Sequence, residues 1–189
     1  AKVKTTFLDQ AIGVCSCSQE LRPPVGGSEL DHRLQKWFSK CMGVNCHVIE
    51  INEIYMRQME SQPHDITYTD VAPILLTSEA SLKALNNRMA IPVGMNRFRP
   101  NLVVSGSSAF AEDEWKNLKI GNCEFEISHH CPRCVLTTID PSNTEKGISK
   151  EPLKTLSTFR KFGNKITFGV YLIPKKLGIL RLNDEVIHE

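Results

Sequence analysis

Apolar and polar residues alternate along several short stretches of this chain, and only two stretches carry the 3.6-residue period of an amphipathic helix. Residues 1–8 alternate weakly and read as one strand. Arg22-Pro-Pro-Val-Gly-Gly27 then breaks regular structure, since paired prolines and glycines favour turn over ladder. Ser28 can cap a helix running to about Met42. Leu30, Leu34, Trp37 and Cys41 share one face of it, and Gly43 supplies the stop. Cys46 to Ile51 alternates as a strand, and the polar residues 52–66 read as a loop or a short irregular helix.

Val71 to Thr77 predicts a second, buried strand. Ser78-Glu-Ala-Ser81 opens another helix, with Leu82, Leu85 and Met89 on its apolar face. Leu102-Val-Val104 is strand-like after Pro100, and Leu118 to Ile127 reads as a hairpin around Gly121-Asn122. Val135 to Ile139 is a short β-branched run, Lys165 to Ile173 alternates around Gly169, and Leu180 to Ile187 forms a closing hairpin. Many short strands with only two clear helices predict a β-rich α+β domain, a closed or partly closed barrel with two or more flanking helices. The domain is expected over residues 26–189, with residues 1–25 belonging to a separate N-terminal β-lobe or linker.

Composition narrows the class. With 41% hydrophobic and 23% charged residues the chain is an ordinary globular protein. Its net charge of +2 gives no bulk electrostatic reason to bind nucleic acid. No apolar run approaches the roughly 18 residues of a membrane span, and Ala1-Lys-Val-Lys-Thr-Thr carries no signal-peptide core. The missing initiator Met suggests a processed or truncated chain. Seven irregularly spaced cysteines do not resemble a secreted disulfide framework, so reduced thiols and a cytoplasmic location are expected.

The chemistry concentrates in Cys131-Pro-Arg-Cys134 and in Arg97-Phe-Arg99-Pro100-Asn101 upstream. A cysteine ligates metal as thiolate, and a neighbouring guanidinium favours that form, so Cys134 beside Arg133 suits a soft, redox-active metal. Arg97 and Arg99 alternate at a strand entry and would face opposite sides. Arg99 is assigned to an anion, because guanidinium binds phosphate in bidentate fashion, and Arg97 to a solvated or structural role. Asn101 suits either a turn or a hydrogen bond to a ligand edge. A zinc site from Cys131, Cys134 and His129 or His130 is an alternative, as is a plain buried thiol at Cys134. Cys131 reads as a bystander and Asp140-Pro141 as the end of a strand and the start of a turn. Trp37, Trp115 and Phe159 are expected to pack, and Tyr171 stands between core and site.

Several motifs in fixed order resemble the MOSC domain, the C-terminal part of molybdenum cofactor sulfurase. They are Asn96-Arg97-Phe98-Arg99-Pro100-Asn101-Leu-Val-Val-Ser-Gly106, Ala111-Glu-Asp-Glu-Trp115, Leu118-Lys-Ile-Gly121 and Cys134-Val-Leu-Thr-Thr-Ile-Asp140-Pro141. Glu151-Pro-Leu-Lys-Thr-Leu156, Phe168-Gly-Val-Tyr171, the segment Asp31 to Gly43 and Ser78-Glu-Ala-Ser-Leu82 extend the likeness over roughly residues 28–188. The Thr-Thr-Ile-Asp-Pro run is more similar to the amidoxime-reducing component and its bacterial relatives than to the sulfurases.

The resemblance implies a barrel-like MOSC domain holding a molybdenum–pyranopterin cofactor, without pyridoxal phosphate. It implies Cys134 as the molybdenum ligand. Arg99, Asn101, Pro132 and Arg133 match pterin- and phosphate-contacting positions, and Asp70 and Tyr171 match two more. The implied reaction is two-electron reduction of small N-hydroxylated substrates such as amidoximes, fed by an iron–sulfur, flavin or haem electron-donor protein. A non-catalytic cofactor carrier or sulfur-transfer module is the alternative within the family. Members usually begin with a further β-lobe, represented here at most by residues 1–25. Bacterial relatives often add a C-terminal iron–sulfur domain whose cysteines do not occur before Glu189.

Overall fold

The computed structural model describes residues 1–5, 12–16, 28–50, 57–59, 65–66, 71–143 and 147–189. The chain divides into two compact units, residues 8–72 and residues 1–7 together with 73–189. Strand β1 (Lys2–Thr5) belongs to the larger unit. The smaller unit holds β2 (Ile12–Ser16), β3 (Ser28–Glu29), helix α1 (His32–Met42), β4 (Cys46–Glu50), and the short pair β5 (Arg57–Gln58) and β6 (Asp65–Ile66). Here β2 and β3 flank β4, both antiparallel to it.

The predicted helix starts later than Ser28. The Leu30 amide donates to the Val48 carbonyl at 2.9 Å, which keeps the chain extended through residue 30. Asp31 therefore becomes the cap, its Oδ1 accepting from the Arg33 amide at 2.7 Å. Gly43, at φ 68°, ends the helix as expected. The predicted apolar face is not buried: Leu34 is 44% and Trp37 58% exposed, so Trp37 is not the packing residue expected.

The larger unit continues with β7 (Ile74–Ser78), α2 (Glu79–Asn86), β8 (Leu102–Ser105), β9 (Asn117–Ile120), β10 (Cys123–Pro132), the one-turn helix α3 (Leu153–Leu156), β11 (Lys161–Phe162), β12 (Lys165–Lys176) and β13 (Val186–His188). Its sheet runs β1-β8-β7-β12-β10-β9-β13, with β11 hooked onto β12. All pairs are antiparallel except β7 with β8, which α2 joins as a crossover. The sheet closes on itself because the Val3 amide donates to the Asp184 carbonyl and the Asn183 and Val186 amides donate to Val3 and Ala1. The predicted closing hairpin at 180–187 is instead a turn, in which Arg181 N donates to Asp184 Oδ2, followed by β13. It joins β9 to β1 and completes the barrel.

Alternation supplies the barrel interior. Val3, Leu76, Leu102, Val104, Leu118, Ile120, Phe125, Val170 and Leu172 form one buried cluster, together with Trp115 as expected. At Gly169 the alternation breaks. His130 opposes Val170 while Pro132 opposes Thr167, so β12 carries an extra residue across that step. Gly169 sits at φ 80°, and a Cβ there would lie 2.6 Å from the Leu76 carbonyl. The bulge turns Phe168 away from Val170 and Leu172 into a second cluster with Leu85, Phe98 and Leu156. Phe168 stacks on Phe98 at 4.1 Å, which anchors the segment before β8 against the barrel wall.

Candidate functional site

Beyond Pro132, the last residue of β10, the Arg133 amide extends the ladder by donating to the Ile166 carbonyl at 2.7 Å. Cys134 then stands in extended conformation at the head of a 3-10 turn, Val135–Thr138. The β-branched run predicted as a strand is thus this turn. Its hydroxyls explain the difference: Thr137 Oγ1 donates to the Cys134 carbonyl at 2.9 Å and Thr138 Oγ1 to the Val135 carbonyl at 2.6 Å. Local side-chain bonds of this kind outcompete the ladder. Only Ile139 pairs as β-structure, in a single bridge to Ile148.

Cys134 is exposed, and so are Val135 and Leu136 beside it, whereas Cys131 is 1% exposed. The Arg133 guanidinium engages the buried thiol: Nη1 donates to Cys131 Sγ at 2.7 Å, and Nη2 donates to the Phe98 carbonyl at 2.7 Å. It also lies 5.5 Å from the centre of the Phe98 ring, while Nε is buried without a partner. Both outer nitrogens of Arg133 thus bond groups other than the Cys134 thiol.

Arg97 has a structural role, as expected, but not for the reason of strand faces. Met95–Arg97 is a 3-10 turn and Arg99 adopts φ 53°, so the period-two argument for opposite strand faces does not apply. Gly94 before the turn and Pro100 after it were the signals that this stretch is not a strand. Arg97 is buried. Its Nε donates to the Thr137 carbonyl at 2.8 Å and Nη2 to the Glu151 carbonyl at 3.2 Å, with Asp140 at 3.6 Å from Nη1. The segment 95–98 thus grips the chain on both sides of Cys134, through Phe98 upstream and Arg97 downstream. Asp140 serves a turn, accepting from the Ser142 amide at 3.0 Å.

The other predicted residues are distributed around this segment. Arg99 is exposed, and among the described residues its guanidinium has no hydrogen bond or ion pair. Asn101 is bonded to β7: its amide donates to the Leu75 carbonyl at 2.9 Å and its Oδ1 accepts from the Leu75 amide at 2.8 Å. Pro132 ends β10 opposite Thr167. Tyr171 is buried in β12 opposite His129, ring centres 5.1 Å apart. Burial, then the nearby charges of Lys165 and His130, hold His129 below its ordinary value, so its ring stays neutral. Asp70 lies outside the described residues. Among the described residues no group of three His, Cys, Asp or Glu is placed to hold a metal, so a zinc site on Cys131 and Cys134 finds no third ligand there.

One strong contact had no signal in the sequence. Arg160 binds Asp113 through two bonds, at 2.6 and 3.0 Å, and its carbonyl accepts from the Thr167 amide beside the bulge. The partners lie too far apart in sequence for any spacing rule to join them.

Comparison with known proteins finds one family and several relatives. Residues 63–187 match the MOSC domain family. Mitochondrial amidoxime reducing component 2 of Rattus norvegicus is 41% identical over 82% of this chain and 46% of that protein. Molybdenum cofactor sulfurase of Oryza sativa subsp. japonica is 34% identical over 75% of this chain and 20% of that protein. The crystal structure of YiiM from Geobacillus stearothermophilus superposes with a TM-score of 0.45 at 14% identity, over 62% of this chain and 54% of that one. The chain spans about half the length of the amidoxime reducing components it matches. Among the described residues no helix is long and apolar enough to cross a membrane.

Proposed function

The chain belongs to the MOSC domain family, and from that premise we propose that it binds a molybdenum–pyranopterin cofactor through Cys134 and reduces N-hydroxylated substrates. The observation that carries this reading is an exposed thiol whose flanking backbone is tied down on both sides, by Arg133 reaching the Phe98 carbonyl and by Arg97 reaching the Thr137 carbonyl. The donor set suits such a group. A thiolate is a soft ligand for a redox-active metal. The exposed Arg99, whose guanidinium is unengaged among the described residues, offers a fork to phosphate, and the orphaned Arg133 Nε leaves a further donor unsatisfied. When bound, the cofactor supplies the two electrons that break an N–O bond.

Every other contribution comes from the chain. Thr137 fixes the carbonyl of Cys134, Arg97 fixes the turn that follows it, and Arg133 fixes the strand end that precedes it. Val135 and Leu136, about half exposed beside the thiol, form an apolar rim suited to the hydrocarbon part of an amidoxime. Asn101, Pro132, Tyr171 and Asp70 complete the proposed cofactor contacts by their match to the family motif. Electrons would come from a separate iron–sulfur, flavin or haem protein. Cys41, Cys46, Cys123, Cys131 and Cys134 are free thiols, which fits a reducing compartment.

The test is turnover of benzamidoxime with a chemical electron donor by cofactor-loaded protein. Benzamidine should form with the natural chain and not with Cys134→Ser. The similarity to the Oryza sativa sulfurase supports a second reading, a cofactor carrier or sulfur-transfer module. Full molybdenum loading with no benzamidine would favour it.

A further inference from the structure

Cys131 is three residues from the proposed ligand, and nothing in the proposed chemistry uses it. Its sulfur is nonetheless the acceptor for one arm of the Arg133 guanidinium, at 2.7 Å, in a place only 1% exposed. The other arm is taken by the Phe98 carbonyl, and the Arg133 backbone by Ile166. Three contacts from three segments therefore define where Arg133 sits. Phe98 is rigid through its stack on Phe168, and Ile166 through the β12 ladder. The Cys131 sulfur is the contact that selects which nitrogen points inward. Without it, one outer nitrogen is left without its acceptor and the guanidinium can swing on its aliphatic stem, because a single carbonyl does not fix a planar fork.

We infer that Cys131 is a positioning residue: it orients Arg133, and through Arg133 the chain that presents Cys134. This rests on the proposed cofactor reading for its benefit to molybdenum, but not for its geometry. A sulfur is large and sits on a short stem, so serine at 131 would accept only across a longer gap, and alanine not at all.

The test is a double-mutant cycle on the full chain with two readouts. The first uses metal-free protein and measures iodoacetamide labelling of Cys134 by peptide mapping, with exposed Cys41 as the internal reference. Cys131→Ala and Arg133→Gln should each shift the Cys134 rate by about three- to tenfold, the range expected for one lost bond to a weak sulfur acceptor. The double variant should match Arg133→Gln alone, since that change already removes the Cys131 bond together with the one to the Phe98 carbonyl. Cys131→Ser should fall between alanine and the natural chain, and it remains available if the alanine variant does not fold. The second readout is the rate at which loaded protein loses molybdenum, which should follow the same non-additive order.

An unchanged Cys134 labelling rate in both Cys131 variants overturns the inference, as do fully additive effects. A non-additive labelling shift in a chain that takes up no molybdenum leaves Cys131 as a positioning residue and overturns the cofactor reading instead.

Discussion

The barrel interior and the rim that carries Cys134 are built by opposite means. Inside the barrel, Val3, Leu76, Leu102, Val104 and Leu172 are fully buried apolar side chains on alternating strand positions, and backbone ladders satisfy the polar groups between them. At the rim the backbone leaves the ladder. The carbonyls of Phe98, Cys134, Thr137 and Glu151 are met by side chains: Arg133, Thr137 and Arg97. The barrel's stability is spread over many interchangeable contacts, while the rim's geometry depends on a few charged bonds. Damage to the first should unfold the molecule, and damage to the second should loosen Cys134 alone.

The largest effect should come from the barrel. Leu172→Ala removes a fully buried side chain from the strand that joins β7 to β10, and should cost about 2–5 kcal/mol. Urea unfolding followed by tryptophan fluorescence checks this, and a loss under about 1 kcal/mol would mean the site collapses to fill the cavity. Next comes the rim. Arg97→Ala removes charged donors from the Thr137 and Glu151 carbonyls, at roughly 1.5–3 kcal/mol for a bond to a charged group. The signature is local: native-state hydrogen exchange at Thr137 should quicken while the amides of β12 keep their protection. Equal loosening of both would erase the distinction between the two regions.

The smallest effect concerns a polar group buried in the manner of the barrel. Glu112 is fully buried, its Oε1 accepts from Ser81 Oγ at 2.6 Å, and its Oε2 has no partner. Burial raises its pKa above the ordinary 4.5, against the opposing bond from Ser81. The unfolded chain then loses this proton near its ordinary value, while the folded chain keeps it to higher pH. Stability is fully present below that value and declines as pH rises towards the folded pKa. Glu112→Gln should remove the decline, gaining on the natural chain at about pH 8 relative to about pH 4.5 in paired urea titrations. A constant difference across that range would show that the carboxyl does not titrate against burial.

The same division explains what could be read from the sequence. The pattern along the chain announced β7, β8, β12 and the hairpin of β9 and β10: β8 and β9 each bury one face and alternate, while β7 and β12 are buried on both faces and are rich in apolar residues. Ser78 announced α2, whose first amides it accepts. The part played by Ala1–Val3 and Asn183–Val186 in closing the barrel left no such trace, since it consists of backbone bonds between the two ends of the chain. At the rim, the exposed Cys134 was legible from its motif. The turn after it was misread because β-branched residues suggest a strand, and only the adjacent hydroxyls of Thr137 and Thr138 hinted otherwise. Arg97 and Cys131 were undervalued for a related reason. Their partners are a main-chain carbonyl 40 residues away and a guanidinium two residues away, and neither contact has a sequence pattern.

Presenting Cys134 to molybdenum is the role proposed for the rim. Its most direct test is elemental analysis of the chain made in a host that synthesises molybdenum cofactor, with the natural protein beside Cys134→Ser. Molybdenum should be stoichiometric with the natural chain and lost from the variant, with both proteins equally folded. A natural chain without molybdenum, or a variant that retains it in full, would rule out Cys134 as the molybdenum ligand.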